Sequence, residues 1–172
     1  MEIIDLYDRQ KRRLHKTFDR YSGEPGEGEY KQNVHIWFLN SKGELLIQKR
    51  SESRSRNPGK WAFTGGAVDA GETSLESAMR EVREELGLTF AEDELDFLLS
   101  FKREYAFVDV WLIETNIEID EIKLQEEEVS EVKWVSIREV TNMLEKGEFV
   151  KSTKLYYDLF LKILENCYAV RV

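Results

Sequence analysis

The stretch GGAVDAGETSLESAMREVREELGL, residues 65–88, opens on two glycines and continues into a segment rich in glutamate. Thr73 and Glu76 have the T-x-x-E spacing of a capping box, which predicts that a helix begins at Thr73. Gly87 supplies a residue of the kind at which helices commonly stop in the left-handed conformation. Apolar residues between these ends recur at helical spacing and predict a buried stripe: Leu75, Ala78, Met79, Val82 and Leu86.

Three glutamates lie on one flank of this predicted helix, beside the apolar stripe. At helical spacing Glu81, Glu84 and Glu85 point in similar directions. Carboxylates three and four residues apart repel each other by roughly a few tenths of a kcal/mol. A divalent cation reverses the sign of this interaction, and oxygen-rich sites of this kind suit Mg²⁺ or Mn²⁺. The alternative is an acidic, solvated helix face, and the helix by itself leaves both interpretations open.

The residues around these glutamates resemble the Nudix box, G-x5-E-x7-R-E-U-x-E-E-x-G-U, in which U is an apolar residue. All nine fixed positions of the box match: Gly66, Glu72, Arg80, Glu81, Val82, Glu84, Glu85, Gly87 and Leu88. The resemblance extends over about residues 30–145. It implies an α/β fold, the Nudix-type α/β/α sandwich with a mixed β-sheet. It also implies hydrolysis of a nucleoside diphosphate linked to another moiety, or of a similar organic diphosphate, with Mg²⁺ or Mn²⁺ as cofactor.

The same resemblance assigns roles to the charged residues of the box. Glu81 and Glu85 are expected to bind the metal ion directly. Glu84 is expected to act as a third ligand or as a base near the attacking water. Arg80 is expected to orient these carboxylates by a salt bridge, which makes it part of the catalytic set with Glu84.

Other positions in and near the box are expected to support this site. Glu72 would tie the preceding loop to the helix, and Gly87 would end the helix. Gly65 and Gly66 would bind substrate, because glycine lets backbone groups approach a metal ion or phosphate closely.

Two candidates lie outside the box, and each has an ordinary alternative. Glu128 stands where many Nudix proteins carry a late carboxylate that faces the metal ions, which makes it a candidate general base. Taken alone, a glutamate in such a loop is more often a solvated charge, and the same holds for Glu126 and Glu127. Lys49 and Arg50 end a predicted strand, and they either grip substrate phosphates or keep that strand end soluble.

A second comparison within the superfamily raises an alternative activity. The first 50 residues resemble isopentenyl-diphosphate isomerase and the isomerase-like Nudix hydrolases. The isomerases carry a cysteine just before the glycine of the box, where this chain has Thr64, and Lys31 stands where a histidine ligand is expected. Without a thiol to move protons, carbon isomerisation lacks part of its acid/base pair, so an isomerase-like hydrolase is predicted. A third possibility is a non-catalytic nucleotide-binding regulator, although such modules usually lose glutamates that this box retains.

The rest of the chain alternates strand and helix patterns, which favours helices packed on a sheet. We predict a single domain over residues 1–172, composed of an N-terminal strand and loop extension at 1–30, a core at 31–145 and a C-terminal helix within 150–172. Further predictions are a β-hairpin over 33–50, a strand at 61–64, two strands within 97–119 with a turn near 102–104, a strand at 131–137, and helices at 138–148 and 153–167.

The composition and charge of the chain limit the kinds of partner that it is expected to bind. The chain has 172 residues and a formal net charge of −9, which argues against a broad surface for nucleic acid or anionic membrane. It has no apolar run long enough to span a bilayer, and its only cysteine, Cys167, excludes an internal disulfide. We therefore predict a cytoplasmic protein, monomer or homodimer, whose partner is a small-molecule diphosphate.

Aromatic residues near the predicted turn at 102–104 have two possible roles. Tyr105, Phe107 and Trp111 share one side of a predicted strand, where they either stack on a base or pack in the core. His35 lies in another predicted strand with no ligand partner at metal spacing, so a structural role is predicted for it.

Overall fold

The computed structural model describes residues 2–168 and Val170. Two N-terminal strands, β1 (Ile3–Tyr7) and β2 (Arg13–Asp19), form an antiparallel hairpin of their own. Seven strands form the main sheet: β3 (Lys31–Leu39), β4 (Glu44–Arg50), β5 (Trp61–Ala62), β6 (Thr64–Ala67), β7 (Leu95–Lys102), β8 (Ala106–Glu114) and β9 (Val129–Ser136). The α-helices are α1 (Ser74–Leu86), α2 (Ile137–Lys146) and α3 (Tyr157–Cys167), and short 3-10 helices occupy Glu92–Glu94, Ile119–Glu121 and Lys151–Leu155.

The main sheet is mixed and is covered by helices on both faces. Its order is β5-β4-β3-β8-β7, with β6 paired to β3 and β9 paired to β4. The β3–β8 pair is parallel and the other pairs are antiparallel. The apolar residues of α1 pack on one face, and those of α2 and α3 pack on the other. The predicted α/β/α sandwich with a mixed sheet is therefore confirmed.

Alternation along β3 produces these two cores. Val34, Ile36 and Phe38 face α1, whereas Trp37 and Leu39 face α2 and α3. All five side chains are almost fully buried. Because successive side chains of a strand point to opposite faces, a strand buried on both sides reads as the nearly continuous apolar run seen here.

The predicted hairpin over residues 33–50 opens soon after its turn. β3 and β4 pair only at Leu39 and Leu45, and then diverge. β6 takes the place of β4 beside residues 33–36 of β3, and β9 pairs along β4 instead. The predicted hairpin gave β3 and β4 only each other as partners. In the structure β6 pairs with β3 where β3 and β4 diverge, so the glycines of β6 lie inside the sheet.

Two other predicted elements differ in extent. The strand predicted at 61–64 is divided at Phe63, because residues on its two sides pair with different strands, β4 and β3. The last helix begins at Tyr157 and not at Thr153, because residues Lys151–Leu155 form a 3-10 helix and Tyr156 has a backbone conformation that breaks the two apart.

The N-terminal hairpin is held against the main sheet. Ile4 forms an isolated bridge with Asp69, next to β6. In the turn of the hairpin, Lys11 forms an ion pair with Asp109 of β8, which is buried and also accepts a hydrogen bond from Gln32. The division into an extension at 1–30, a core at 31–145 and a C-terminal helix within 150–172 stays a prediction. Four of these positions lie outside the described residues: Met1, Ala169, Arg171 and Val172. Among the helices described, none is long and apolar enough to cross a membrane.

Replacing Thr73 by alanine is expected to lower the free energy of unfolding by about 1 kcal/mol. The Thr73 hydroxyl accepts a hydrogen bond from the amide of Glu76 at 3.2 Å, and the Glu76 carboxylate accepts one from the amide of Thr73 at 2.8 Å. The substitution leaves the amide of Glu76, at the start of α1, without this acceptor. Urea unfolding measures the effect, and Thr89→Ala, at an exposed non-helical position, is the matched control. Equal effects of the two substitutions would contradict the capping role.

Candidate active site

The three glutamates of α1 lie in two different environments. Glu81 and Glu85 are turned toward the sheet and are only 8% and 4% exposed. Glu84 faces solvent, with 48% of its side chain exposed. The predicted cluster therefore consists of a buried pair with one accessible carboxylate beside it.

Glu85 is held by groups from the sheet. Its carboxylate accepts a hydrogen bond from Gln48 Nε2 of β4 at 2.8 Å. Gln48 is in turn held by Thr64, whose hydroxyl donates to the amide oxygen at 2.9 Å. This chain of contacts from β6 through β4 to α1 fixes where the Glu85 carboxylate lies.

The backbone of β6 approaches these groups closely at its two glycines. A Cβ atom at Gly65 would lie 2.2 Å from the carbonyl oxygen of Val34, and one at Gly66 would lie 2.2 Å from Oε1 of Glu81. The Glu81 carboxylate thus rests directly on the Gly66 backbone. Neither position accommodates a side chain without displacing its neighbour.

Arg80 connects the carboxylates of the box to the loop before α1. Its guanidinium donates to Glu81 at 2.8 Å and to Glu84 at 3.1 Å, and its Nε donates to Glu72 at 2.9 Å. It also donates to the backbone oxygen of Ala67 at 3.0 Å. Glu72 accepts a further hydrogen bond from the backbone of the loop, which is the connection that the sequence predicted for it.

Burial raises the pKa values of the two buried carboxyl groups. The pKa of Glu85 rises to about 8 through burial and the neighbouring Glu81 charge. Burial also raises the pKa of Glu81, to about 6, although Arg80 opposes the shift. Both carboxylates would be stabilised by additional positive charge in front of them.

A divalent cation fits this donor set. The three glutamates offer carboxylate oxygens, the ligands that Mg²⁺ and Mn²⁺ prefer. Within the part of the chain that the structure describes, no three acidic, histidine or cysteine side chains are already converged as ligands. In this arrangement the Glu81 carboxylate accepts a hydrogen bond from Arg80, and the Glu85 carboxylate accepts one from Gln48.

The glutamates line a cleft of about 330 Å³, here called the glutamate cleft. It is lined by Glu2, Arg20, Arg50, Arg54, Gly65, Gly66, Asp69, Arg80, Glu81, Glu84, Glu85, Gln125 and Glu128. Two of the candidates outside the box, Glu128 and Arg50, therefore line the cleft together with residues of the box. Glu128 forms an ion pair with Arg54, which also lines the cleft. Lys49 lies outside it and pairs along the sheet with Trp61 and Glu131.

Sequence reasoning missed several residues of this site. Gln48 is a polar residue, 2% exposed, that follows the apolar residues of β4 and precedes Lys49 and Arg50, so nothing in the sequence marked it as buried. Arg20 and its ion-pair partner Glu2 come from the two ends of the N-terminal hairpin, far from the box in sequence. No local pattern marked them, because only the docking of the hairpin brings them to the cleft.

The aromatic residues separate into different roles. Tyr105 precedes β8 and is 39% exposed, whereas Phe107 is 7% exposed and contacts the ring of Tyr30. The indole Nε1 of Trp111 donates to the Ser74 hydroxyl at 2.9 Å, at the start of α1. Only Tyr105 of the three is placed where a ligand could reach it.

His35 is half-buried and lies 2.7 Å through Nδ1 from the hydroxyl of Tyr156. Trp37 donates its indole hydrogen to the same oxygen at 3.1 Å, so the phenol hydrogen is free to be donated to Nδ1 of a neutral imidazole. Burial, with the charge of Arg103 nearby, lowers the pKa of His35 to about 4. The folded protein therefore favours the neutral ring.

This contact predicts a loss of stability in acid that depends on His35. The unfolded chain binds a proton at this residue near its ordinary pKa of about 6.5, and the folded chain does so only near pH 4. The contribution of His35 is complete above pH 6.5 and is lost at up to about 1.4 kcal/mol per pH unit as pH falls toward 4. Urea unfolding across this range should show a shallower decline for His35→Gln than for the wild type. His15→Gln, at the exposed histidine, is the control, and parallel curves for His35→Gln and the wild type would contradict the assignment.

Comparison with known proteins agrees with the fold. Residues 29–158 match the NUDIX domain family, and the chain belongs to this family. An uncharacterized Nudix hydrolase of Listeria innocua is 36% identical over 87% of this chain and 89% of its own length. Among solved structures, a Deinococcus radiodurans protein has a TM-score of 0.74 at 24% identity, covering 87% of this chain and 92% of its own. A MutT protein from Methanosarcina mazei has a TM-score of 0.60 at 27% identity, covering 77% of this chain and 94% of its own.

Membership of the family confirms the predicted class. The protein is a Nudix hydrolase, a pyrophosphohydrolase of the general type. Members of this family generally use divalent metal ions and act on small-molecule diphosphates. The isomerase-like subgroup, the oligomeric state and the cellular location stay predictions.

Proposed function

We propose that the protein is a Mg²⁺- or Mn²⁺-dependent hydrolase that cleaves the diphosphate linkage of a nucleoside diphosphate joined to another moiety, or of a similar organic diphosphate. The observation that carries this proposal is the buried pair Glu81 and Glu85, with the accessible Glu84 beside it, in a cleft that also contains arginines. An anionic diphosphate and a pair of carboxylates repel each other unless cations lie between them.

Glu81 and Glu85 would hold the metal ion, with Glu84 as a third ligand or a base. When bound, such an ion neutralises phosphate oxygens and lowers the pKa of a coordinated water. Arg80 maintains the spacing of the carboxylates through its contacts with Glu72, Glu81 and Glu84. The absence of a side chain at Gly66 lets the Glu81 carboxylate lie directly against the backbone of β6.

Two carboxylates are candidates to accept the proton of the attacking water. Glu84 is accessible, and the one side-chain hydrogen bond that it makes among the described residues is the 3.1 Å bond from Arg80. Glu128 is half-buried, lines the same cleft and forms an ion pair with Arg54. Arg50 lines the same cleft and would bind a phosphate oxygen.

The environment of Thr64 favours hydrolysis over isomerisation. This residue stands where the isomerases carry cysteine, and it is 3% exposed. Its hydroxyl donates to Gln48 and so supports Glu85, which is a positioning role. A buried threonine in that role supplies no proton to carbon.

A substrate panel tests the proposal. Nucleotide sugars, dinucleoside polyphosphates, nucleoside triphosphates, coenzyme A and isopentenyl diphosphate are incubated with the protein and Mg²⁺ or Mn²⁺. Cleavage products are separated by anion-exchange chromatography, and the isopentenyl diphosphate reaction is also followed by proton NMR, which distinguishes the two isomers. Cleavage of a diphosphate linkage, abolished by EDTA, is expected. Binding without cleavage would indicate the regulator, and conversion of isopentenyl diphosphate to its dimethylallyl isomer would indicate the isomerase.

A further inference from the structure

A second cleft adjoins the glutamate cleft across the two glycines of β6. It has a volume of about 430 Å³ and shares Arg20, Gly65 and Gly66 with the glutamate cleft. The β2 end, the start of β3 and the turn before β8 supply its walls. It is here called the basic cleft, and a ligand that lies over Gly65 and Gly66 would extend into both.

The two clefts carry charges of opposite sign. The basic cleft has four basic side chains and two acidic ones: Arg20, Lys31, Arg56 and Arg103, with Glu24 and Glu104. The glutamate cleft has six acidic side chains and four basic ones. The formal charge of the whole chain is −9, so the basic cleft stands out against its surroundings. An anion would be attracted to this cleft, and a cation to its neighbour.

The basic side chains differ in how far they are already neutralised. Lys31 is 8% exposed, donates to the carbonyl oxygen of Gly23 at 2.8 Å and lies 3.3 Å from Glu24. Arg56 is also near Glu24, at 3.8 Å. Arg103 is half-buried, and over residues 2–168 and Val170 no carboxylate lies within 4.0 Å of its guanidinium. Among the described residues that line this cleft, Arg103 is therefore the basic side chain that is free to pair with an anionic ligand.

The lining also argues against an apolar ligand. Apart from Val34 and two alanines, its side chains are charged, polar or aromatic, and Tyr105 stands at the edge with 39% of its surface exposed. An isoprenoid chain placed here would remove water from arginine and lysine without replacing their hydrogen bonds, which is unfavourable. A polar group with acceptor oxygens would satisfy them.

We infer that the basic cleft binds the organic moiety of the diphosphate substrate, and that it selects substrates in which this moiety carries a further anionic group, a phosphate or a carboxylate. Arg103 is the specificity-determining residue, and Arg20, which lines both clefts, contacts the diphosphate between them. This inference rests on the proposed function, because it assigns the diphosphate itself to the glutamate cleft.

Two pairs of compounds that differ by one anionic group test the inference. Coenzyme A and 3′-dephospho-coenzyme A differ by a phosphate, and UDP-glucuronic acid and UDP-glucose differ by a carboxylate. Dissociation constants are measured by calorimetry with Mg²⁺ in a Glu84→Gln background, which slows turnover. In at least one pair the more anionic member should bind about tenfold more tightly or better. Adding Arg103→Gln should reduce that ratio to below about threefold and leave the affinity of the less anionic member within about twofold.

Arg138→Gln is the matched control, since Arg138 is exposed on α2 and lies outside both clefts. It should preserve the ratio. Equal affinities within both pairs, or no binding of any of the four compounds, would overturn the inference, and a ratio unchanged by Arg103→Gln would remove Arg103 from it. A clear preference in binding, together with no cleavage by the wild-type protein with Mg²⁺, would instead overturn the proposed hydrolysis and leave the selectivity of the basic cleft standing.

Discussion

Glu84→Gln is expected to lower kcat by about 10²- to 10⁴-fold, which is the range for loss of a general base. Glutamine has nearly the same shape as glutamate, but it neither accepts a proton at neutral pH nor carries the charge that a metal ion attracts. Because 48% of the Glu84 side chain is exposed, the substitution creates no buried cavity or unpaired buried group. The midpoint of thermal unfolding should therefore stay close to that of the wild type.

Glu145→Gln is the control for this experiment, since it makes the same chemical change at an exposed position of α2. It should leave both kcat and the unfolding midpoint unchanged. Wild-type turnover in Glu84→Gln would remove Glu84 from the mechanism. A large fall in the unfolding midpoint would show that its role is structural.

Gly66→Ala is expected to lower kcat/KM by about 10²-fold or more, the scale of the loss when a catalytic group is misplaced by about 1 Å. The new Cβ would lie 2.2 Å from Oε1 and 2.4 Å from Cδ of Glu81, so the carboxylate has to move. Moving it also breaks the 2.8 Å hydrogen bond from Arg80. The backbone of Gly66 is not in the left-handed region, so the expected loss comes from the displaced carboxylate and not from an unfavourable backbone conformation.

Gly26→Ala is the matched control for Gly66→Ala. Gly26 also lacks a left-handed backbone, it is exposed, and the nearest atom to its new Cβ would be Oε2 of Glu29 at 3.1 Å. Its activity should equal that of the wild type. Full activity of Gly66→Ala, measured on a substrate found in the panel, would show that the position of the Glu81 carboxylate seen here is not needed for turnover.

The helix that carries the glutamates was predictable because every signal that defines it is local. Thr73 and Glu76 cap its start, Gly87 ends it in the left-handed conformation, and the apolar stripe between them determines which face is buried. From that stripe, the flank that holds Glu81 and Glu85 follows directly. The matching box then predicted the sandwich that the structure confirms.

The walls of the site were harder to predict because they depend on contacts between distant parts of the chain. Gln48 supports Glu85 only because β4 runs beside α1, and Arg20 reaches both clefts only because the N-terminal hairpin docks on the main sheet. The divergence of β3 and β4 places Gly65 opposite His35, and no local feature of either strand indicated this pairing. Spacing along the sequence identified the charged residues of the helix, but it did not show which residues face them.

The division of the glutamates into a buried pair and an accessible third also follows from the fold. Residues 81 and 85 are four apart and share the side of α1 that meets β4 and β6, whereas Glu84 is rotated toward the cleft. Sequence spacing placed all three together. Packing against the sheet buries Glu81 and Glu85 and leaves Glu84 exposed to solvent.

Calorimetric titration with Mn²⁺ and with Mg²⁺ tests the central claim most directly, namely that Glu81 and Glu85 hold a divalent cation. The wild-type protein should show saturable binding, and Glu85→Gln should weaken it by about tenfold or more, while the exposed Glu145→Gln leaves it unchanged. Repeating the titration with a non-cleaved diphosphate present should strengthen binding in the wild type. No saturable uptake of either ion, with or without the diphosphate, or equal affinity in the wild type and Glu85→Gln, would contradict the account.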